Sequence, residues 1–179
     1  MSDLKVNEIK TDTIKNQAGT SAATIDSAGR VLQPTKPVFQ AFGIAGGTFA
    51  HDSHIILPSA TVNVGTHYDT STGRFTVPIA GTYFFTWSFL GNTTDTIYRY
   101  YLKKNGSDLD GGVHLRLVGD GTDYPENATG NWIGPASVGD YFNCYYYADN
   151  TSTAGYPGAN ASLPNAAAHY CKFGGYLIG

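Results

Sequence analysis

The sequence predicts an all-β sandwich, and three observations carry that prediction. Apolar residues recur with period two in short runs separated by turn-forming residues, the pattern of half-buried strands. No segment sustains the 3.6-residue period of a helix. Charged residues make up only 14% of the chain while Gly, Asn, Thr, Ser and Tyr are abundant, which suits a turn-rich protein whose surface is polar rather than ionic.

Along the chain, apolar runs at about 38–44, 55–57, 62–68, 74–79, 82–90, 96–104, 113–118, 130–134, 140–148 and 169–178 give about ten short strands, as in a sandwich or jelly roll. Turn chemistry separates them. Asp69 to Gly73 and Pro78 to Gly81 bring an Asp that bonds its own backbone, a Pro that presets φ and glycines that accept positive φ. Between those turns Phe75 and Val77 alternate with Arg74 and Thr76. After Gly81, the run Tyr83, Phe84, Phe85, Trp87 and Phe89 is too aromatic for an exposed ribbon, so this strand is expected to be central with protein on both faces. Asn105-Gly106 is a hairpin turn. The stretches 119–129 and 149–168 fit no strand, and long loops of this kind tend to be functional.

Residues 1–36 have a different character from residues 37–179 and are expected to form a separate unit. They contain no aromatic residue and carry five Lys or Arg against four Asp or Glu, whereas the remainder carries six against ten. Val6, Ile9, Ile14, Ile25, Val31 and Leu32 are too few to build a core from one copy, so three copies around an axis are expected to order the segment. Pro34 and Pro37 bracket a stiff junction. Neither part clusters basic residues along the sequence, so no nucleic-acid partner is expected. The start Met-Ser-Asp-Leu-Lys lacks an apolar signal core and no 18-residue apolar run occurs, so neither secretion nor membrane insertion is expected and synthesis in a cytoplasm is. Without an export signal, Cys144 and Cys171 read as buried free thiols.

Asn63, Gly65, Tyr68, Asp69, Thr72, Gly73, Phe75, Pro78, Gly81, Tyr83 and Phe84 form a pattern that resembles the globular head of complement component 1q and its relatives in the tumour necrosis factor superfamily. The likeness continues through Pro37 to Phe42, Tyr98 to Gly106, Val138 to Phe142 and the closing Phe173-Gly-Gly-Tyr-Leu-Ile. It implies a ten-stranded complement 1q-like jelly-roll sandwich over residues 37–179, assembled as a homotrimer. The leader residues Leu4, Val6, Asn7, Ile9, Thr11, Asp12, Thr13 and Ile14 resemble a leader found on tail-fibre and other virion proteins of cyanophage-type bacteriophages. That second resemblance implies location in a virion, an extended N-terminal β segment, and anchoring to other virion proteins through Leu4, Val6, Ile9 and Ile14.

Catalysis needs a nucleophile with its base, paired carboxylates, or three metal ligands facing an open position. No such set occurs, so the chain is not expected to be an enzyme. His51 and His54 are three apart, but on a strand they would face opposite sides, and no metal is assigned. Asp108, Asp110, Asp120 and Asp123 could hold calcium, as some complement 1q-like heads do, but Asp-Gly pairs are equally ordinary turn residues, so no cofactor is assigned and calcium stays open. Aromatics are more informative. Placing Phe142, Cys144 and Tyr146 in the core leaves Tyr141, Tyr145 and Tyr147 outside, and with Tyr98 and Tyr100 they are expected at the trimer contact. Tyr124, Trp132 and Tyr156, in or beside the long loops, are expected to contact a host cell-surface glycan or protein. The expected function is a trimeric tail-fibre-type virion protein presenting a receptor-binding head. The alternatives are a capsid or neck decoration protein without a receptor role, and, less favoured, a secreted complement 1q-type binding module or a polysaccharide-degrading enzyme.

Overall fold

The computed structural model describes residues 11–43, 51–90, 97–109, 115–118, 127–148 and 171–179. The chain divides into two compact units, Met1–Lys36 and Pro37–Gly179.

In the first unit β1 (Thr13–Lys15), β2 (Ser21–Ile25) and β3 (Val31–Leu32) form an antiparallel meander within one copy of the chain. Its two turns share one design. Asn16 and Asp26 each accept the backbone N–H four residues on through Oδ1, from Thr20 and Arg30, at 2.9 Å. Gly19 and Gly29 each occupy the left-handed region, φ 84° and 77°. Arg30 Nε also bonds Asp26 Oδ2 at 2.7 Å. The segment is thus a repeated Asx-x-Ala-Gly hairpin whose order comes from local hydrogen bonds, which the count of apolar residues did not reveal. Leu4, Val6 and Ile9 lie outside the described residues. Ile14, on β1, is 54% exposed.

The second unit is an all-β jelly-roll sandwich, as its sequence predicts. One sheet runs β11 (Ser107–Asp108), β10 (Ile97–Lys104), β14 (Tyr141–Ala148), β8 (Arg74–Thr76) and β7 (Tyr68–Asp69), with β12 (Leu115–Val118) on β10 and β5 (Ser53–His54) on β14. The other runs β13 (Asn127–Ala136), β9 (Gly81–Leu90), β15 (Lys172–Leu177), β4 (Val38–Phe42) and β6 (Ser59–Val64). Between them lie Phe39, Phe75, Tyr83, Phe85, Trp87, Phe142 and Phe173, all at most 2% exposed. Phe85 sits at the centre, its ring 4.4 Å from Phe142 and 5.8 Å from Phe173. Cys144 and Cys171 are buried free thiols, and burial pushes the Cys144 thiol well up.

Three expectations need correction. Residues 55–57 are an extended connector before Pro58, not a strand, although Ile55 and Leu57 are buried in the core. The run 62–68 breaks at Gly65 and Thr66, both at positive φ, into β6 and β7. The stretch 119–129 yields its last three residues to β13, a sheet-edge strand that tolerates Pro135, where a ladder donor is dispensable.

Candidate functional site

The motif that pointed to the fold builds scaffold. Asn63 closes the β6–β7 turn: its Nδ2 donates to the Tyr68 carbonyl at 2.8 Å and its Oδ1 accepts the Tyr68 N–H at 3.0 Å. Tyr68 is buried and its hydroxyl donates to the Leu57 carbonyl at 3.1 Å. Asp69 caps the next turn through the Ser71 N–H at 2.8 Å, and Gly73 has positive φ with no room for a Cβ against the Ile55 carbonyl. These residues hold the turns together. Among the described residues, the broad surfaces that could meet a partner are the outer faces of the two sheets.

On the β12-β10-β14 side, period-two alternation turns Tyr98, Tyr100 and Leu102 inward and Arg99, Tyr101 and Lys103 outward. Tyr98 and Tyr100 are fully buried in the sandwich, so the expected trimer contact cannot use them. Their inward phase follows from Leu102, which shares their face and packs in the core. Tyr141, Tyr145 and Tyr147 face outward and are half-buried, and each is matched with a positive side chain. Arg74 lies over Tyr141 at 4.4 Å, Lys103 over Tyr145 at 4.1 Å, and Arg99 over Tyr147 at 5.4 Å. Tyr101 is 7% exposed beside Tyr145, and burial first, then Asp108 and Asp52, pushes its hydroxyl up to about 12. His51 packs on Tyr147 at 4.7 Å and His54 lies 6.4 Å from Tyr145, so the two imidazoles serve different rings.

The outer face of the other sheet is built differently. Register places Ile133, Phe84, Tyr176, Val38 and Val64 side by side, one from each strand of β13-β9-β15-β4-β6. Ile133 is 60% and Tyr176 45% exposed, and the Phe84 and Tyr176 rings stand 5.4 Å apart. A cleft of about 400 Å³ opens along this row, lined by Val38, Val62, Phe84, Gly174, Gly175 and Tyr176. The expectation that β9 meets protein on both faces therefore fails within one chain. Tyr83, Phe85 and Trp87 are buried, while Phe84 borders this open cleft.

The remaining predicted residues disperse. Trp132, expected at a receptor, is half-buried against the core at 6.1 Å from Phe85 and 5.5 Å from Phe142, because β13 carries it inward. Tyr124 and Tyr156 lie outside the described residues. Asp108 is ion-paired with Lys103 at 3.7 Å, and Asp110, Asp120 and Asp123 lie outside the described residues. Among the described residues no three His, Cys, Asp or Glu side chains come together as a metal site. Alternation within β14 already placed Tyr141, Tyr145 and Tyr147 outside, but their cationic neighbours and the whole apolar row escaped the sequence reading, because these are assembled by register between strands distant in sequence.

A family profile for the C1q domain matches residues 41–110. Complement C1q tumor necrosis factor-related protein 3 of Homo sapiens is 39% identical over 37% of this chain and 33% of its own length. Its Mus musculus counterpart is 39% identical over 32% of this chain and 24% of its own length. The chain thus spans about a third or less of the curated relatives it matches. Among solved structures, the globular domain of zebrafish complement 1qA superposes with TM-score 0.58 at 16% identity, covering 80% of this chain and 98% of that one. Murine APRIL gives 0.58 at 10% identity, covering 80% and 99%, and Eiger TNF from S. frugiperda gives 0.57 at 13%, covering 81% and 94%. Residues 41–110 are thus similar to the C1q domain, and the second unit shares the jelly-roll fold of these solved structures.

Proposed function

We propose that this chain is a trimeric virion protein of the tail-fibre type, anchored through its N-terminal segment and presenting the C1q/TNF-like head to the host surface. The head binds and does not catalyse. The observation that carries the reading is the pairing of two open faces on one rigid sandwich. One is a continuous apolar row suited to self-association, the other a tyrosine face lined by Arg74, Arg99 and Lys103. C1q/TNF-like domains commonly form homotrimers. The apolar row through Ile133, Phe84 and Tyr176 is a better self-association surface than the tyrosine face, whose rings already carry positive side chains of their own chain.

Support for the virion setting is the leader pattern Leu4 to Ile14, joined to a hairpin repeat that extends along the chain rather than closing a core. Three heads on one axis present three weak sites in fixed geometry, and avidity supplies the hold. The experiment is competition. Purified full chain added in excess is expected to slow phage adsorption to host cells. Adsorption at an unchanged rate, with the protein seen on capsid or neck by immunogold labelling, would instead establish a decoration role.

A further inference from the structure

In an Asn-Gly pair the asparagine side chain is open to attack by the next backbone nitrogen, because glycine has no side chain to shield it. The sequence contains this pair once, at Asn105-Gly106. It forms the two-residue loop between β10 and β11, where Asn105 and Gly106 both hold positive φ, 53° and 80°. Both residues are exposed to water. By residue type and position this is where an amide should turn into an acid with time.

The fold opposes that chemistry. Both ends of the Asn105 carboxamide are engaged: Nδ2 donates to Asp140 Oδ1 at 2.7 Å, and Oδ1 accepts the Tyr141 N–H at 2.8 Å. The Asn105 N–H also donates to the Tyr141 carbonyl at 2.9 Å, so backbone and side chain are fixed against the same two residues. Asp140 is itself held, by Lys104 Nζ at 2.8 Å and the Ser137 N–H at 2.7 Å. To close a ring onto the Gly106 nitrogen, the carboxamide must leave Asp140 and Tyr141 and the loop must leave its left-handed conformation. Hydrogen bonds to an ionised acceptor are strong, so this departure is a local opening whose frequency sets the rate.

We infer that Asn105 is a deamidation site locked by its clasp to Asp140 and Tyr141, and that its conversion prevents the clasp from closing again. In an opened loop the Gly106 nitrogen bonds to Asn105 Cγ and gives its proton to water. The Cγ–Nδ2 bond breaks and ammonia departs, leaving a succinimide. Water then adds to either ring carbonyl, giving aspartate or isoaspartate at position 105. The amide donor that faced Asp140 Oδ1 is thereby replaced by an acidic oxygen, and two carboxylates confront each other where one hydrogen bond stood. Lys104, already committed to Asp140, is the cation at this site. The head thus acquires an irreversible mark of having opened at this end of β10 and β14, whatever its outer faces bind.

The test incubates the full chain in warm neutral buffer and follows the peptide spanning Asn105 and Gly106 by mass spectrometry, which reads the amide-to-acid mass gain. The folded parent is expected to convert about tenfold or more slowly than the same chain held unfolded in urea. Asp140→Ala should convert about tenfold faster than the parent. If Asp140→Ala does not fold, Asp140→Asn, which keeps the shape and drops the charge, decides with a several-fold rise. Tyr68→Phe weakens the head at a site away from the loop and should leave the Asn105 rate unchanged. N105D makes the converted state directly and should melt below the parent. Equal rates in the folded and unfolded parent, or an unchanged rate in the variant at Asp140, overturn the lock. Acceleration by Tyr68→Phe as large as by the Asp140 variant overturns it too, since whole-head unfolding would then set the rate. N105D melting with the parent overturns the claim that conversion keeps the clasp open.

Discussion

Asn105 and Asp140 lie 35 residues apart in sequence, and their side chains meet at 2.7 Å, Asn105 Nδ2 donating to Asp140 Oδ1. Lys104 Nζ approaches the other carboxylate oxygen at 2.8 Å, the Ser137 N–H donates to it at 2.7 Å, and the Tyr141 N–H returns to Asn105 Oδ1 at 2.8 Å. The Lys-Asn-Gly turn and the Gly-Asp turn are therefore one clasp joining the neighbouring ends of β10 and β14. The Lys104 hydrogen bond first, then those of Ser137 and Asn105, lower the Asp140 carboxyl from 3.8 to about 2. An acid whose folded value is depressed contributes stability above its unfolded value, and that contribution fades as pH falls through the folded value. Asp140→Asn is expected to lower the melting temperature at neutral pH, with the gap to the parent closing as pH falls from about 4 toward 2. A gap constant across that range would show that the charge is not what Asp140 contributes.

Gly73 has φ 68°, and a Cβ there would stand 2.4 Å from the Ile55 carbonyl oxygen. Gly73→Ala meets both backbone strain and a clash with main chain that cannot swing away. Chemical unfolding should show a loss of about 2–4 kcal/mol.

The packing around Phe85 makes it the residue on which the two sheets meet. Its ring lies within 6.2 Å of Phe39, Phe75, Tyr83, Trp132, Phe142 and Phe173. Phe85→Ala is expected to cost about 3–5 kcal/mol, the transfer loss plus a cavity among rings too rigid to collapse into it. Tyr68→Phe removes only the hydroxyl that satisfies the Leu57 carbonyl and should cost about 1–2 kcal/mol in the same assay.

Self-association should depend on the apolar row and not on the outer tyrosines. Ile133→Asp and Tyr176→Asp, both at exposed positions, are expected to convert a trimer to monomers in light scattering while melting as a folded protein. Tyr147→Leu should leave the mass unchanged. The opposite pattern would return the trimer contact to the tyrosine face.

Much of the scaffold was readable in advance because its signals are local. Asp69 and Gly73 each answer a need of their own turn, and Phe142, Cys144 and Tyr146 alternate within one strand. The paired turns at Asn16 and Asp26 were equally local, and they share the residue pattern Asx-x-Ala-Gly as well as the hydrogen bonds.

The sequence by itself determined an all-β jelly-roll head, where most of its strands run, and which residues of β14 face inward. Only the tertiary structure decided what is left on the surface. Alternation states that a strand has two faces, but register between β10, β12 and β14 sets Arg99 beside Arg116 and Tyr147, and register across five strands aligns Ile133 with Val64. Tyr98 and Trp132 show the same limit from the other side, since an aromatic ring reads alike in a core and at an interface until its neighbours are in place.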